Sequence, residues 1–94
     1  MPIEIRIEGA KACPRVVCDE CGQPLDEAAG SVLWDRGAED QLYFTHTPCY
    51  RAFVNRRGRP DCWQPVSAFL FFLAKNTGYD PEEGKRAAGL VSLR

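Results

Sequence analysis

The sequence is poor in histidine, in net charge and in long apolar runs, and each shortage removes a class of function. One histidine in 94 residues cannot form the two-histidine sites of metalloprotease helices or histidine-pair nucleases. The longest apolar run, residues 68–74, is far shorter than the ~20 residues of a membrane helix. Twelve basic against 13 acidic residues give a net charge of -1, which does not favour bulk binding to polyanions.

The amino terminus also lacks a signal-peptide pattern, because residues 1–11 contain no apolar stretch. Together with the short apolar runs, this predicts a cytoplasmic protein that does not associate with membranes. The five cysteines are an odd number, so complete internal disulfide pairing is excluded. In a reducing compartment, cysteines are better explained as metal ligands than as crosslinks.

The chain has the composition of a globular protein, with 45% hydrophobic and 27% charged residues. At this length, folding hides only roughly 60–65% of the surface of the unfolded chain, so the core is thin. We therefore expect residues 1–94 to form one small α+β domain, stabilised by something beyond apolar burial.

Strand signals occupy the first half of the chain. Apolar and charged side chains alternate from Ile3 to Ile7, which predicts a half-buried amino-terminal strand. Residues 15–17 predict a second short strand. The β-prone runs 32–34 and 42–44 are separated by a polar, glycine-containing loop, which predicts a β-hairpin.

Helix signals occupy the second half. Thr47 and Pro48 are typical of an N-cap and first helical residue, and Gly58 is expected to end that helix. An aromatic helix is expected within residues 60–78, with a buried strand as the alternative for its apolar run. Residues 79–94 predict a carboxy-terminal helical cover, weakened by glycines.

Four residues have the spacing of a metal site: Cys18-x2-Cys21 and, after twenty-four residues, His46-x2-Cys49. Three thiolates and one neutral imidazole form a closed tetrahedral zinc set. Zinc is favoured over iron because a single iron would require four sulfurs. We predict one structural Zn²⁺ per chain, within a zinc-binding core of residues 13–58. The alternative is that these cysteines are buried apolar residues and the histidine is a loop residue.

This order of ligands resembles the first zinc half of a LIM domain and, more generally, a treble-clef zinc finger, over residues 16–57. The resemblance implies a zinc knuckle, a β-hairpin and a helix whose first turn supplies the last ligands. A LIM domain continues with a second zinc set, whereas Ala52 occupies the position of its next cysteine. The sequence therefore resembles a solitary treble clef. LIM domains are protein-binding adaptors, so the resemblance implies a protein-interaction module.

Enzymatic motifs are incomplete. A zinc deaminase requires Pro-Cys-x-x-Cys, and no second cysteine follows Cys49 at that spacing. A reactive thioredoxin-like pair is disfavoured by the acidic residues Asp19 and Glu20 between the cysteines. Four protein ligands would also leave no open coordination position for catalysis. We predict a non-catalytic domain.

The two remaining cysteines, Cys13 and Cys62, have no partner at a ligand-like spacing. We expect both to be packed, reduced thiols, because free cysteine is commonly buried. The alternative is that one of them displaces His46 or takes part in a redox switch. A redox-responsive or metal-responsive switch is accordingly our third choice of function.

Arginines cluster on and after the first predicted helix, at Arg51, Arg56, Arg57 and Arg59. Such a face supports an alternative function, a nucleic-acid-binding regulator. The near-neutral chain favours instead a solvated helix face that offsets an anionic zinc site.

The aromatic helix is apolar nearly all round. Positions 69, 72 and 73 are expected to point into the core. Phe71, flanked by Ser67 and Lys75, is expected to be an exposed anchor for an unknown protein partner or a second copy of the chain. The leading prediction is thus a structural-zinc domain that acts in protein interaction.

Overall fold

The structure is a computed structural model that describes residues 3–25 and 29–89. Two small β-sheets and three α-helices form a small α+β fold, as expected. The strands are β1 (Ile3–Glu8), β2 (Lys11–Val16), β3 (Ser31–Trp34), β4 (Tyr43–Thr45) and β5 (Cys62–Pro65). The helices are α1 (Tyr50–Arg57), which follows a 3-10 turn at Thr47–Cys49, α2 (Val66–Thr77) and α3 (Pro81–Ala88).

The central sheet has the strand order β4-β3-β5, with both pairs antiparallel. The β3–β4 pairing confirms the predicted hairpin. The sequence did not predict β5, which occupies positions expected to begin the aromatic helix. Central strand β3 is buried on both faces, since Val32 and Leu33 are both fully buried although they point to opposite sides.

A helix covers each face of this sheet. On one face, Val32 and Phe44 are directly paired and pack with Val66 of α2. On the other face, the ring of Tyr43 lies 5.6 Å from that of Phe53 in α1, and Phe53 is fully buried. The core is therefore a thin sandwich of α1, one short sheet and α2.

The helix boundaries follow the predicted stop signals. Gly58 ends α1, and Gly78 ends α2 in a left-handed conformation at φ 72°. The strand alternative for the aromatic run is therefore wrong. The prediction of Thr47 as an N-cap is also wrong, because it lies inside the 3-10 turn and His46 precedes that turn.

A carboxy-terminal helix forms as predicted, but it does not act as a cover, because none of its residues is buried. Asp80 caps α3 by accepting a hydrogen bond from the Glu82 backbone N–H at 3.0 Å. Helix α3 ends at Ala88, and the remainder of the predicted tail, residues 90–94, lies outside the described residues. No helix in the described part of the chain is long and apolar enough to cross a membrane.

Strand β1 forms as predicted but is not half-buried. Ile3, Ile5 and Ile7 are 54%, 63% and 64% exposed. Their strand partner β2 spans residues 11–16 rather than 15–17, and among the described residues the two strands form a separate two-stranded sheet. The hairpin therefore keeps an uncovered apolar face. The radius of gyration is 15.0 Å, above the ~12 Å typical of this length.

Helix α2 is also more exposed than predicted. Phe69 is half-buried and meets Phe44 edge to face, with ring centroids 5.7 Å apart. However, Phe72 and Leu73 are 46% and 48% exposed, so their assignment to the core is wrong. The three short strands are too narrow to cover that whole side of the helix. Phe71 is 63% exposed, as expected.

Candidate metal centre

The first two candidate ligands lie in a tight turn. The Cys18 backbone N–H donates to the Gln23 carbonyl, and the Gly22 N–H donates to the Cys18 carbonyl, both at 2.9 Å. Gly22 adopts φ 76°, a conformation that is costly for residues with a side chain. The Cys18 sulfur accepts the backbone N–H groups of Glu20 and Cys21 at 3.4 and 3.5 Å. The turn therefore places two sulfurs together and surrounds one of them with donors.

Asp19 joins this turn to strand β4 of the central sheet by two hydrogen bonds. Its backbone N–H donates to the Phe44 carbonyl at 2.7 Å, and its carboxylate Oδ2 accepts the Phe44 N–H at 2.8 Å. Phe44 lies two residues before His46. The two halves of the ligand set, twenty-five positions apart in sequence, are thus joined by a pair of hydrogen bonds.

The second pair of ligands follows strand β4 directly. The 3-10 turn closes with the Cys49 N–H donating to the His46 carbonyl at 3.0 Å. This tight turn folds the Cys49 side chain back toward the imidazole, immediately before α1 begins.

The structure brings together the four predicted ligands, Cys18, Cys21, His46 and Cys49. Their ligand atoms all lie within 4.8 Å of one another, a grouping that could hold a metal ion. The His46 Nδ1 atom lies 3.3 Å from the Cys21 sulfur and 3.9 Å from the Cys49 sulfur. Tetrahedral zinc bonded to sulfur at about 2.3 Å and nitrogen at about 2.0 Å separates these atoms by about 3.5 Å. The observed distances fit such an ion.

The imidazole of His46 is oriented by a backbone carbonyl. Its Nε2 atom lies 2.9 Å from the Pro24 carbonyl oxygen, which can only accept, so Nε2 carries the proton. In the neutral ring, the lone pair is then on Nδ1, the atom that faces the sulfurs. Metal-ligating histidines are usually fixed in this way. The sequence contained no signal for this contact, because a backbone carbonyl has no residue preference.

The thiols at the site have divergent acidities. Burial disfavours the Cys18 thiolate, but backbone N–H groups of Cys21, His46 and Glu20 outweigh it and lower the pKa to about 7. Burial, together with the neighbouring sulfurs of Cys21 and Cys18, raises the pKa of Cys49 to about 12. A cation bound beside Cys49 would offset the effect of its neighbouring sulfurs and favour its thiolate.

The four arginines do not form one free basic face. Arg56 pairs with Glu20, between Cys18 and Cys21, at 2.9 Å, and Arg57 pairs with Asp35 at 2.9 Å. Arg57 also stacks its guanidinium 4.1 Å from the Tyr43 ring centroid. The remaining two members of the cluster, Arg51 and Arg59, are exposed.

The two spare cysteines lie outside the cluster. Cys13 is in β2 and Cys62 is in β5, and both are half-buried free thiols. The group of described residues able to hold a metal contains neither of them. The structure therefore places no substitute for His46 at the site.

No protein-family model matches the sequence, and no curated protein or solved structure has significant similarity to it.

Proposed function

We propose that the chain is a non-catalytic zinc-binding domain that acts as a protein-interaction module. The observation that carries the metal assignment is the convergence of four ligand atoms within 4.8 Å, with Nδ1 of His46 oriented by the Pro24 carbonyl. A set of three sulfurs and one nitrogen at this separation is characteristic of structural zinc.

The order of elements supports a solitary treble-clef arrangement over residues 16–57. A knuckle, a β-hairpin and a helix follow one another, and the last ligand precedes that helix by one residue. In this arrangement the ion joins the knuckle to the start of α1. The Asp19 hydrogen bonds to Phe44 and the Arg56–Glu20 ion pair also link the Cys18–Cys21 turn to β4 and α1.

The thin core explains why such an ion would be structural. The buried apolar residues within the described ranges are Val17, Cys18, Val32, Leu33, Phe44, Phe53 and Val66. Structural zinc contributes on the order of 10 kcal/mol to the folding of small domains, comparable to the whole stability of a typical protein. The four protein ligands fill a tetrahedron, which leaves no position for a substrate.

Two observations favour a protein partner over nucleic acid. Large apolar side chains are exposed on the β1–β2 hairpin and on α2, which is unusual for a small protein with no binding role. Two of the four clustered arginines, Arg56 and Arg57, are already paired with carboxylates. The nucleic-acid-binding regulator therefore remains the second candidate, and it would depend on Arg51 and Arg59.

Metal analysis of the purified protein tests the zinc assignment. We expect one zinc per chain, and cobalt substitution should give the visible absorption of a tetrahedral site with thiolate ligands. Cys49→Ser should lose the metal and unfold the chain, whereas Cys62→Ser, a matched control, should retain both metal and fold. Iron, a second zinc or a metal-free folded chain would contradict the assignment.

A further inference from the structure

An apolar groove lies beside helix α2. It consists of two adjoining cavities of about 630 and 390 Å³. Leu42, Phe69 and Leu73 line both cavities, so the two form one continuous depression. Ile3 of the exposed hairpin lines the larger cavity, and Trp34 of the central sheet lines the smaller one.

The groove follows α2 for two turns. Its helical wall consists of Phe69, Phe72, Leu73 and Asn76, which occupy positions i, i+3, i+4 and i+7. Phe69 packs on the core through Phe44, whereas Phe72 and Leu73 keep about half of their surface exposed. A stripe with this period is the surface that one helix presents to another helix.

Acidic residues border this groove and basic residues do not. Asp19 and Asp40 line the larger cavity, and Glu39 lines the smaller one. No lysine, arginine or histidine lines either cavity within the described part of the chain. The groove therefore combines apolar walls with a negative rim, which repels phosphate groups and attracts basic side chains.

We propose that this groove binds a basic amphipathic helix of a partner protein. The helix places large apolar side chains, spaced i, i+3 or i+4, and i+7, against Phe69, Phe72 and Leu73. Its lysines or arginines lie next to Asp40 and Glu39. This proposal rests on the proposed function as an interaction module, and it assigns the surface and the chemistry of the partner.

The groove fits this occupant better than it fits an added β-strand. Strand β4 has an edge in the three-stranded sheet, but Asp19 already bonds both the N–H and the carbonyl of Phe44 there. A partner strand would have to displace these bonds. A helix satisfies its own backbone groups and requires only side-chain contacts.

Selection of helical peptides tests the proposal. The probe is a display library of 14-residue helical peptides with randomised faces, sorted against the zinc-loaded protein. We expect the enriched peptides to carry Lys or Arg beside large apolar residues at the stated spacing. Their binding should weaken at least about tenfold in Leu73→Glu, because a charge would enter the apolar contact.

Matched variants locate the surface. Leu70→Glu changes a neighbouring exposed residue of α2 that does not line the groove, so it should bind as the wild type does. Phe71→Glu tests the competing anchor that the sequence predicts. Asp40→Lys should weaken binding and reduce its salt dependence, whereas Glu82→Lys, on exposed α3, should do neither. Zinc content and circular dichroism of each variant establish that the fold is intact.

The outcomes separate this proposal from the proposed function. Enriched acidic peptides, or binding that is lost in Phe71→Glu and kept in Leu73→Glu, would overturn the groove and leave an interaction module that uses another surface. A library that yields no binder would likewise overturn the groove as a helix-binding surface, and the interaction function would then require another surface. Absence of zinc from the purified wild-type protein would overturn the metal assignment alone.

Discussion

The Asp19 carboxylate offers the sharpest test of how the metal site is assembled. It accepts the backbone N–H of Phe44 at 2.8 Å, and Phe44 is 3% exposed. Asp19→Ala removes this acceptor while leaving every proposed zinc ligand in place. The remaining bond between the two residues, from the Asp19 N–H to the Phe44 carbonyl, is formed by the backbone and persists.

The expected cost follows from the loss of one bond to a charged acceptor. Leaving a buried N–H without its partner costs about 1–3 kcal/mol. If folding and zinc binding are coupled, this cost appears in the apparent zinc affinity, which should fall roughly 5- to 150-fold. Asp19→Asn keeps an acceptor oxygen, so its loss should be smaller than that of Asp19→Ala.

Competition with a chromogenic chelator measures the affinity. Glu20→Ala is the matched control, because it removes the neighbouring carboxylate and its ion pair with the exposed Arg56, for a cost of at most about 1 kcal/mol. Equal zinc affinities for Asp19→Ala and Glu20→Ala would refute the argument that this bond joins the two halves of the ligand set.

Three further outcomes are expected from the same structure. Gly30→Ala should destabilise the zinc-loaded protein by more than about 2 kcal/mol in denaturant titrations, because φ is 134° and a Cβ would collide with the backbone oxygen of Thr45 in β4. In the same assay, Phe69→Ala should lower the free energy of unfolding by about 1–3 kcal/mol and Phe71→Ala by less than about 0.5 kcal/mol, because Phe69 packs on the core and Phe71 does not. The hydrogen bond and charge of Arg57 hold the pKa of Asp35 below its usual value. The ion pair therefore stabilises the fold fully at pH values above the pKa of Asp35 in the unfolded chain. This stabilisation should be lost as the pH falls through the lower pKa of Asp35 in the folded protein. An Arg57→Gln variant should raise the Asp35 pKa measured by NMR, and an unchanged value would contradict the pairing.

The local elements were largely predictable because their signals are contained in short stretches of sequence. The hairpin, the end of α1 at Gly58 and the end of α2 at Gly78 all follow from residues adjacent to them. The turn at residues 18–22 follows from two cysteines separated by two residues and followed by a glycine. The two residues between His46 and Cys49 match the length of the single 3-10 turn that brings these ligands together.

Contacts between distant segments were not predictable in the same way. The Asp19 bonds to Phe44 and the Pro24 contact that orients His46 involve backbone groups, which every residue carries. Strand β5 was missed because its pairing with β3 depends on a segment about thirty residues earlier. Its own four residues carry no strand pattern stronger than the helix signal that follows them.

Burial was the property that sequence patterns predicted least well. Alternation predicted that Ile3, Ile5 and Ile7 would be half-buried, and helical spacing predicted that Phe72 and Leu73 would face the core. Periodicity shows that apolar side chains share a face, but not whether another element covers it. The sequence by itself determined the ligand spacing, the helix ends and these apolar faces. Only the tertiary structure decided which faces are covered, because coverage depends on how far a three-stranded sheet extends beneath them.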